Sequence, residues 1–151
     1  MIALLAFAAA LSVPQGPGWM PPVPGALNPA VTQGDVSTTI CRHGWTKTIR
    51  PPASYTNRLK AQQMEAEGIT ASPRALEEDH LVSLEIGGSP TSPENLWPEW
   101  WVGQWGAHRK DVLETRLKRL VCSGKVPLAT AQREIEQNWI AAYRKYVGVP
   151  R

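Results

Sequence analysis

Six of the chain's fourteen prolines (Pro14, Pro17, Pro21, Pro22, Pro24 and Pro29) crowd into sixteen positions. Each proline fixes φ and removes a backbone N–H donor, so this stretch can form neither a helix nor a central strand. A folded domain must therefore lie C-terminal to it. In a chain of 151 residues that leaves room for one modest domain. Apolar residues make up 42% and charged residues 19%, which supports a packed core and excludes wholesale disorder.

The sequence divides into a signal peptide over 1–13, a flexible Pro/Gly-rich leader over 14–36, and a domain over 37–151. The opening MIALLAFAAALSV is too short to span a bilayer but suits a secretory h-region, with Ala8 and Ala10 as a small-x-small cleavage site. No Lys or Arg precedes it, and a buried N-terminal helix is the alternative. Export places the protein outside the cell or in the periplasm, with no stable membrane association after signal removal. Two cysteines, Cys41 and Cys122, suit one disulfide in an exported chain; two buried free thiols are the alternative.

Within the domain, STTICRHGWTKTIRPP is rich in β-branched residues and predicts one or two short strands ending at Pro51 and Pro52. A helix follows over 54–68, capped by Ser54 or Thr56 and closed by Gly68. HLVSLEI predicts a strand bounded by the Gly87-Gly88 turn signal, and LW at 96–97 its returning partner. From Ala107 the period becomes helical: Val112, Leu113, Leu117, Leu120 and Val121 trace one face, and Gly124 follows the end. A last helix starts near Leu128, with Ala131, Ile135, Trp139, Ala142, Tyr143 and Tyr146 as its packing face. The fold class is α+β: a short β-hairpin plus helix, with further helices before and after.

Hydrolysis of a phosphodiester needs a base for the attacking water, a cation to stabilise the developing charge, and a group that positions the base. Asp79-His80, Asn95 and His108 are the residues of suitable chemistry. Strand alternation sends Asp79 and His80 to opposite faces, so one shared site requires a bend or bulge.

The segments CRHGWTKTIRPPASYT, EEDHLVSLEIGG, ENLWPE, AHRKDVLE and AQREIEQNW resemble small exported bacterial proteins of HNH-endonuclease type, within the His-Me-finger or ββα-metal group. The resemblance spans most of residues 41–146. It implies His80 as general base, Asn95 as the brace of hairpin and base, and Asp79 and His108 as ligands of a divalent cation. Mg²⁺ is the foremost choice, with Mn²⁺ or Zn²⁺ as alternatives. Asp111, one turn after His108, would orient its imidazole. The thirteen residues from Asn95 to His108 exceed the compact HNH spacing, because WPEWWVGQWG intervenes, and the zinc-binding cysteine pairs of many HNH domains are missing.

Net charge is +3, and a basic run follows His108. Arg109, Lys110 and Arg116 are the expected phosphate contacts, with nucleic acid as partner and DNA favoured over RNA. Glu77 and Glu78 are expected to be solvated, and Glu85 and Glu99 structural or surface residues. The competing expectation is a non-catalytic secreted binding module on the same scaffold.

Overall fold

The computed structural model describes residues 20–149. The signal segment 1–13 and the first part of the leader, 14–19, lie outside the described residues. The remainder of the leader departs from the expected flexible linker. Gly25 N–H donates to Glu94 O at 2.8 Å, Ser89 N–H to Ala26 O at 2.8 Å, and Asn28 N–H to Gly87 O at 2.9 Å. Val31 is buried in the core. The prolines exclude regular structure, but extended backbone can still satisfy the unpaired donors and acceptors of a neighbouring loop.

The region before Pro51 is also not a strand pair. It runs through turns into α1 (Trp45–Ile49), entered at Gly44, whose φ of 76° favours glycine. Trp45 is buried, and Cys41 is joined to Cys122, so side-chain anchoring overrides the β-propensity of the threonines here. Helix α2 (Ala53–Ala66) begins after Pro52 and is followed by Gly68 at φ 67°, close to the expected span.

Strand β1 (Leu76–His80) pairs antiparallel with β2 (Leu96–Trp100), Leu76 facing Trp100 and His80 facing Leu96. The expected strand over 80–86 is thus displaced: His80 is the last residue of β1, and the chain turns into a 3₁₀ segment at Leu84–Ile86. Leu81, Val82, Leu84 and Ile86 are all buried, which gives an apolar run without the alternation of a half-buried strand. Ser83 caps the 3₁₀ turn by accepting from Glu85 N–H at 3.1 Å. Gly88 is compelled by close approach, since a Cβ there would lie 1.7 Å from Val82 O.

Helices α3 (Ala107–Cys122) and α4 (Leu128–Tyr146) follow the expected boundaries and pack together. Leu113, Leu117 and Val121 meet Leu128, Ala131, Ile135 and Trp139 in the core, and Trp139 is fully buried as a packing residue. Among the described residues the architecture is α+β, a two-stranded hairpin with four α-helices and one disulfide. No helix among the described residues is long and apolar enough to cross a membrane.

Candidate functional site

Regular pairing through His80 decides how the hairpin presents its polar residues. With no bulge in the ladder, Glu77 and Asp79 share one face and Glu78 and His80 the other. Glu99, directly opposite Glu77, belongs to the Asp79 face. The bend that would bring Asp79 and His80 to one side is not formed.

On the His80 side, Nε2 lies 3.0 Å from Pro90 O in the loop between the strands. A carbonyl only accepts, so Nε2 carries the proton and Nδ1 is the basic nitrogen of the neutral ring. His80 is 4% exposed, and burial lowers its pKa below the ordinary histidine value despite the Pro90 carbonyl and Asp79. Asn95 holds the loop in place. It is fully buried, accepts from Val82 N–H at 2.9 Å, and donates to Val82 O at 3.0 Å and Ser89 O at 2.9 Å. Asn95 therefore braces the hairpin loop that carries Pro90, and reaches His80 only through it.

On the other face, sequence reasoning missed the central residue. Lys110, expected as a phosphate contact, is 0% exposed and faces the hairpin from the first turns of α3. Its ammonium donates to Asp79 Oδ2 at 2.6 Å, to His80 O at 2.6 Å and to Glu114 Oε1. The correction has a simple cause: position 110 lies on the buried stripe with Leu113 and Leu117, not on the solvated face. Glu114, four residues on, also accepts from Ser83 Oγ at 2.8 Å. The i,i+4 spacing of Lys110 and Glu114 was the available signal.

Glu77, Asp79 and Glu99 each offer a carboxylate oxygen, and these atoms lie within 4.8 Å of one another. Glu99 is 1% exposed, so the expectation of a structural or surface residue understates it, and Glu77 is half-buried rather than solvated. Burial, then the Asp79 and Asp111 charges, pushes the Glu77 carboxyl up to about 8. Burial and the Asp79 charge raise Glu99 well above the usual range. Burial also acts to raise Asp79, but the Lys110 ammonium and a side-chain hydrogen bond with Glu99 outweigh it and hold this carboxyl low. Burial likewise lifts Glu114 to about 7, against the opposing Lys110 charge. On the hairpin's other face, burial takes Glu78 up to about 8.

His108 does not join the convergent oxygens. It is exposed, with its ring 5.3 Å from that of Trp101. Asp111 is exposed too, and it senses His108 by charge rather than holding it by a hydrogen bond. Asp79 Oδ2 is held by the Lys110 ammonium, and the His108 ring lies tilted beside that of Trp101. Among the other expected phosphate contacts, Arg109 is half-buried and donates to Tyr143 Oη at 3.4 Å. Arg116 is exposed and lines a groove of about 480 Å³ with Arg119 and Tyr146. Comparison with family models, curated proteins and solved structures returns no match.

Proposed function

We propose that this chain is an exported nuclease of HNH type, hydrolysing phosphodiester bonds in nucleic acid, DNA foremost, with low sequence specificity. The observation that supports it is the clamped imidazole of His80. The Pro90 carbonyl accepts a hydrogen bond from Nε2–H, burial keeps the ring neutral, and the Asn95-braced loop fixes its orientation. A neutral, oriented imidazole at the end of a strand is suited to take a proton from an attacking water. Arg116 and Arg119 offer the phosphate backbone a positive groove beside α3. No step is assigned to a cation on Asp79 and His108.

A second reading, a non-catalytic secreted binding module, is favoured by one observation. Lys110 engages Asp79, the residue that the HNH resemblance makes a metal ligand.

Plasmid nicking by wild type and His80→Ala, each with Mg²⁺, Mn²⁺ or chelator, separates the two. The nuclease reading expects cleavage by wild type and a loss of about 10²-fold or more in the variant. Equal rates would remove His80 as base. No cleavage in any condition, with plasmid retained by wild type and released by Arg116→Ala, would establish the binding module instead.

A further inference from the structure

The groove between α3 and the end of α4 is lined by two unlike sets of side chains. Its volume is about 480 Å³, within the range of sites that enclose a small molecule. Arg116 and Arg119 stand three residues apart on α3, so their side chains are neighbours. Arg116 donates Nε–H at 3.3 Å to Tyr146 O, a carbonyl in the last turn of α4, and this bond orients its guanidinium. Among the described residues its terminal nitrogens have no acceptor, and neither arginine has a carboxylate within 4.0 Å. Two guanidiniums with open donors match the oxygens of a phosphodiester. Beside them the wall is apolar. Val112 is 49% and Val147 38% exposed, and both line the groove with Tyr146. A patch built for phosphate alone gains nothing from exposed valines.

We propose that this groove holds one nucleotide of a single-stranded nucleic acid, its phosphate on Arg116 and Arg119 and its base against Val112 and Val147. The one acid in the lining sets the direction. Asp111 lies eight residues before Arg119, about 12 Å away along the helix axis, so its charge turns the phosphate toward the arginine end. The two linings together decide the substrate class. A duplex turns its phosphates outward but keeps its base faces stacked inside, so it can use only the arginines. A single strand presents a phosphate and an unstacked base on the same nucleotide, so it uses both. The inference rests on the reading of nucleic acid as the partner and narrows it. It requires no catalytic step.

Fluorescence anisotropy in chelator tests it without any cleavage. The full chain is titrated against a labelled thymidine oligonucleotide, the same oligonucleotide with abasic sites, and its duplex. The intact single strand should bind about fivefold or more tightly than the abasic strand. It should also outbind the duplex at high salt, where phosphate contacts contribute least. Replacing both arginines, Arg116→Ala with Arg119→Ala, should reduce the steepness of the log–log salt dependence by about 1.4. Val112→Ser, a change at an exposed position of α3, should weaken the intact strand by about threefold and leave the abasic strand unchanged. Equal affinity for intact and abasic strands would overturn the base site and leave the phosphate reading standing. An unchanged salt dependence in the double variant would overturn the groove as the place of binding. Binding to none of the three would overturn both the groove and nucleic acid as partner. Release of the strand by polyglutamate as readily as by unlabelled oligonucleotide would overturn the inference in favour of an acidic protein segment.

Discussion

Replacing Lys110 by Met tests the electrostatic centre of the molecule. Methionine retains most of the apolar stem, so the change removes mainly the ammonium and its bonds to Asp79, Glu114 and the His80 carbonyl. Removing one partner of a buried ion pair typically costs about 3–5 kcal/mol, because the remaining charge stays desolvated. For about 130 described residues, the entropy of unfolding is about 0.27 kcal/mol per degree, so a 4 kcal/mol loss lowers Tm by about 15 °C. The penalty should also depend on pH. Without the ammonium, burial is opposed chiefly by the hydrogen bond with Glu99, and the folded pKa of Asp79 rises from its depressed value. A carboxyl with a raised folded pKa loses stability as pH rises, so the deficit should be larger at pH 8 than at pH 5. Circular-dichroism melts of both proteins at the two pH values, in chelator, measure this directly. A variant within about 2 °C of wild type at pH 8 would refute the reasoning. Loss of nucleic-acid affinity without loss of stability would restore Lys110 as a surface phosphate contact.

Asn95→Ala should cost about 3 kcal/mol in urea unfolding, since it strands the Val82 N–H and C=O and the Ser89 C=O in the interior. Nuclease activity, where present, should fall with it, because the loop that orients His80 loses its brace. Reducing Cys41–Cys122, which spans 81 residues, should destabilise by about 4 kcal/mol in the chain-entropy treatment, read from melts with and without reductant. In chelator, wild type should melt lower at pH 8.5 than at pH 6.5. Glu77 and Glu78 titrate near 8 and Glu114 near 7 when folded, against 4.5 when unfolded. The native state therefore holds more protons across this window and loses stability as they leave. His80, whose folded pKa is depressed, contributes the opposite slope only below its ordinary value of 6.5. Partial exposure of Glu77 and Glu78 screens their share, so the expected fall is about 5 °C rather than the full value of the shifts. A melting temperature that rises from pH 6.5 to 8.5 would contradict the buried acids.

The helices were legible because their signals are local. The stripe from Leu113 to Val121 and the stripe from Leu128 to Tyr143 repeat at helical steps, and glycine follows each helix at 124 and 148. The hairpin was legible only in part. Its turn signal, Gly87-Gly88, belongs to the loop, but the strand itself is LEEDH, three acids in five residues with little intrinsic β-propensity. What makes it a strand is tertiary. It pairs with β2, α2 holds it through Lys60 on Leu76 O at 2.8 Å, and Gln63 holds its partner through Leu96 O at 2.8 Å. The apolar HLVSLEI looked more strand-like because burial on all sides and burial on one face both produce runs of leucine and isoleucine.

The misread residues follow one physical rule. A charged residue near a proposed site is read as solvated unless the helix phase is applied to it as strictly as to its apolar neighbours. Lys110 precedes Leu113 by three positions and Leu117 by seven, so the helix that buries the leucines must bury the lysine. A buried ammonium then requires acceptors, and Asp79, Glu114 and the His80 carbonyl answer that requirement. The same logic extends to Glu99. β2 buries Trp97, and alternation places Glu99 on the same face, opposite Glu77. Lys110 is already saturated, and burial with the Asp79 charge raises Glu99 well above the usual carboxylate range, so Glu99 keeps its proton and shares a hydrogen bond with Asp79.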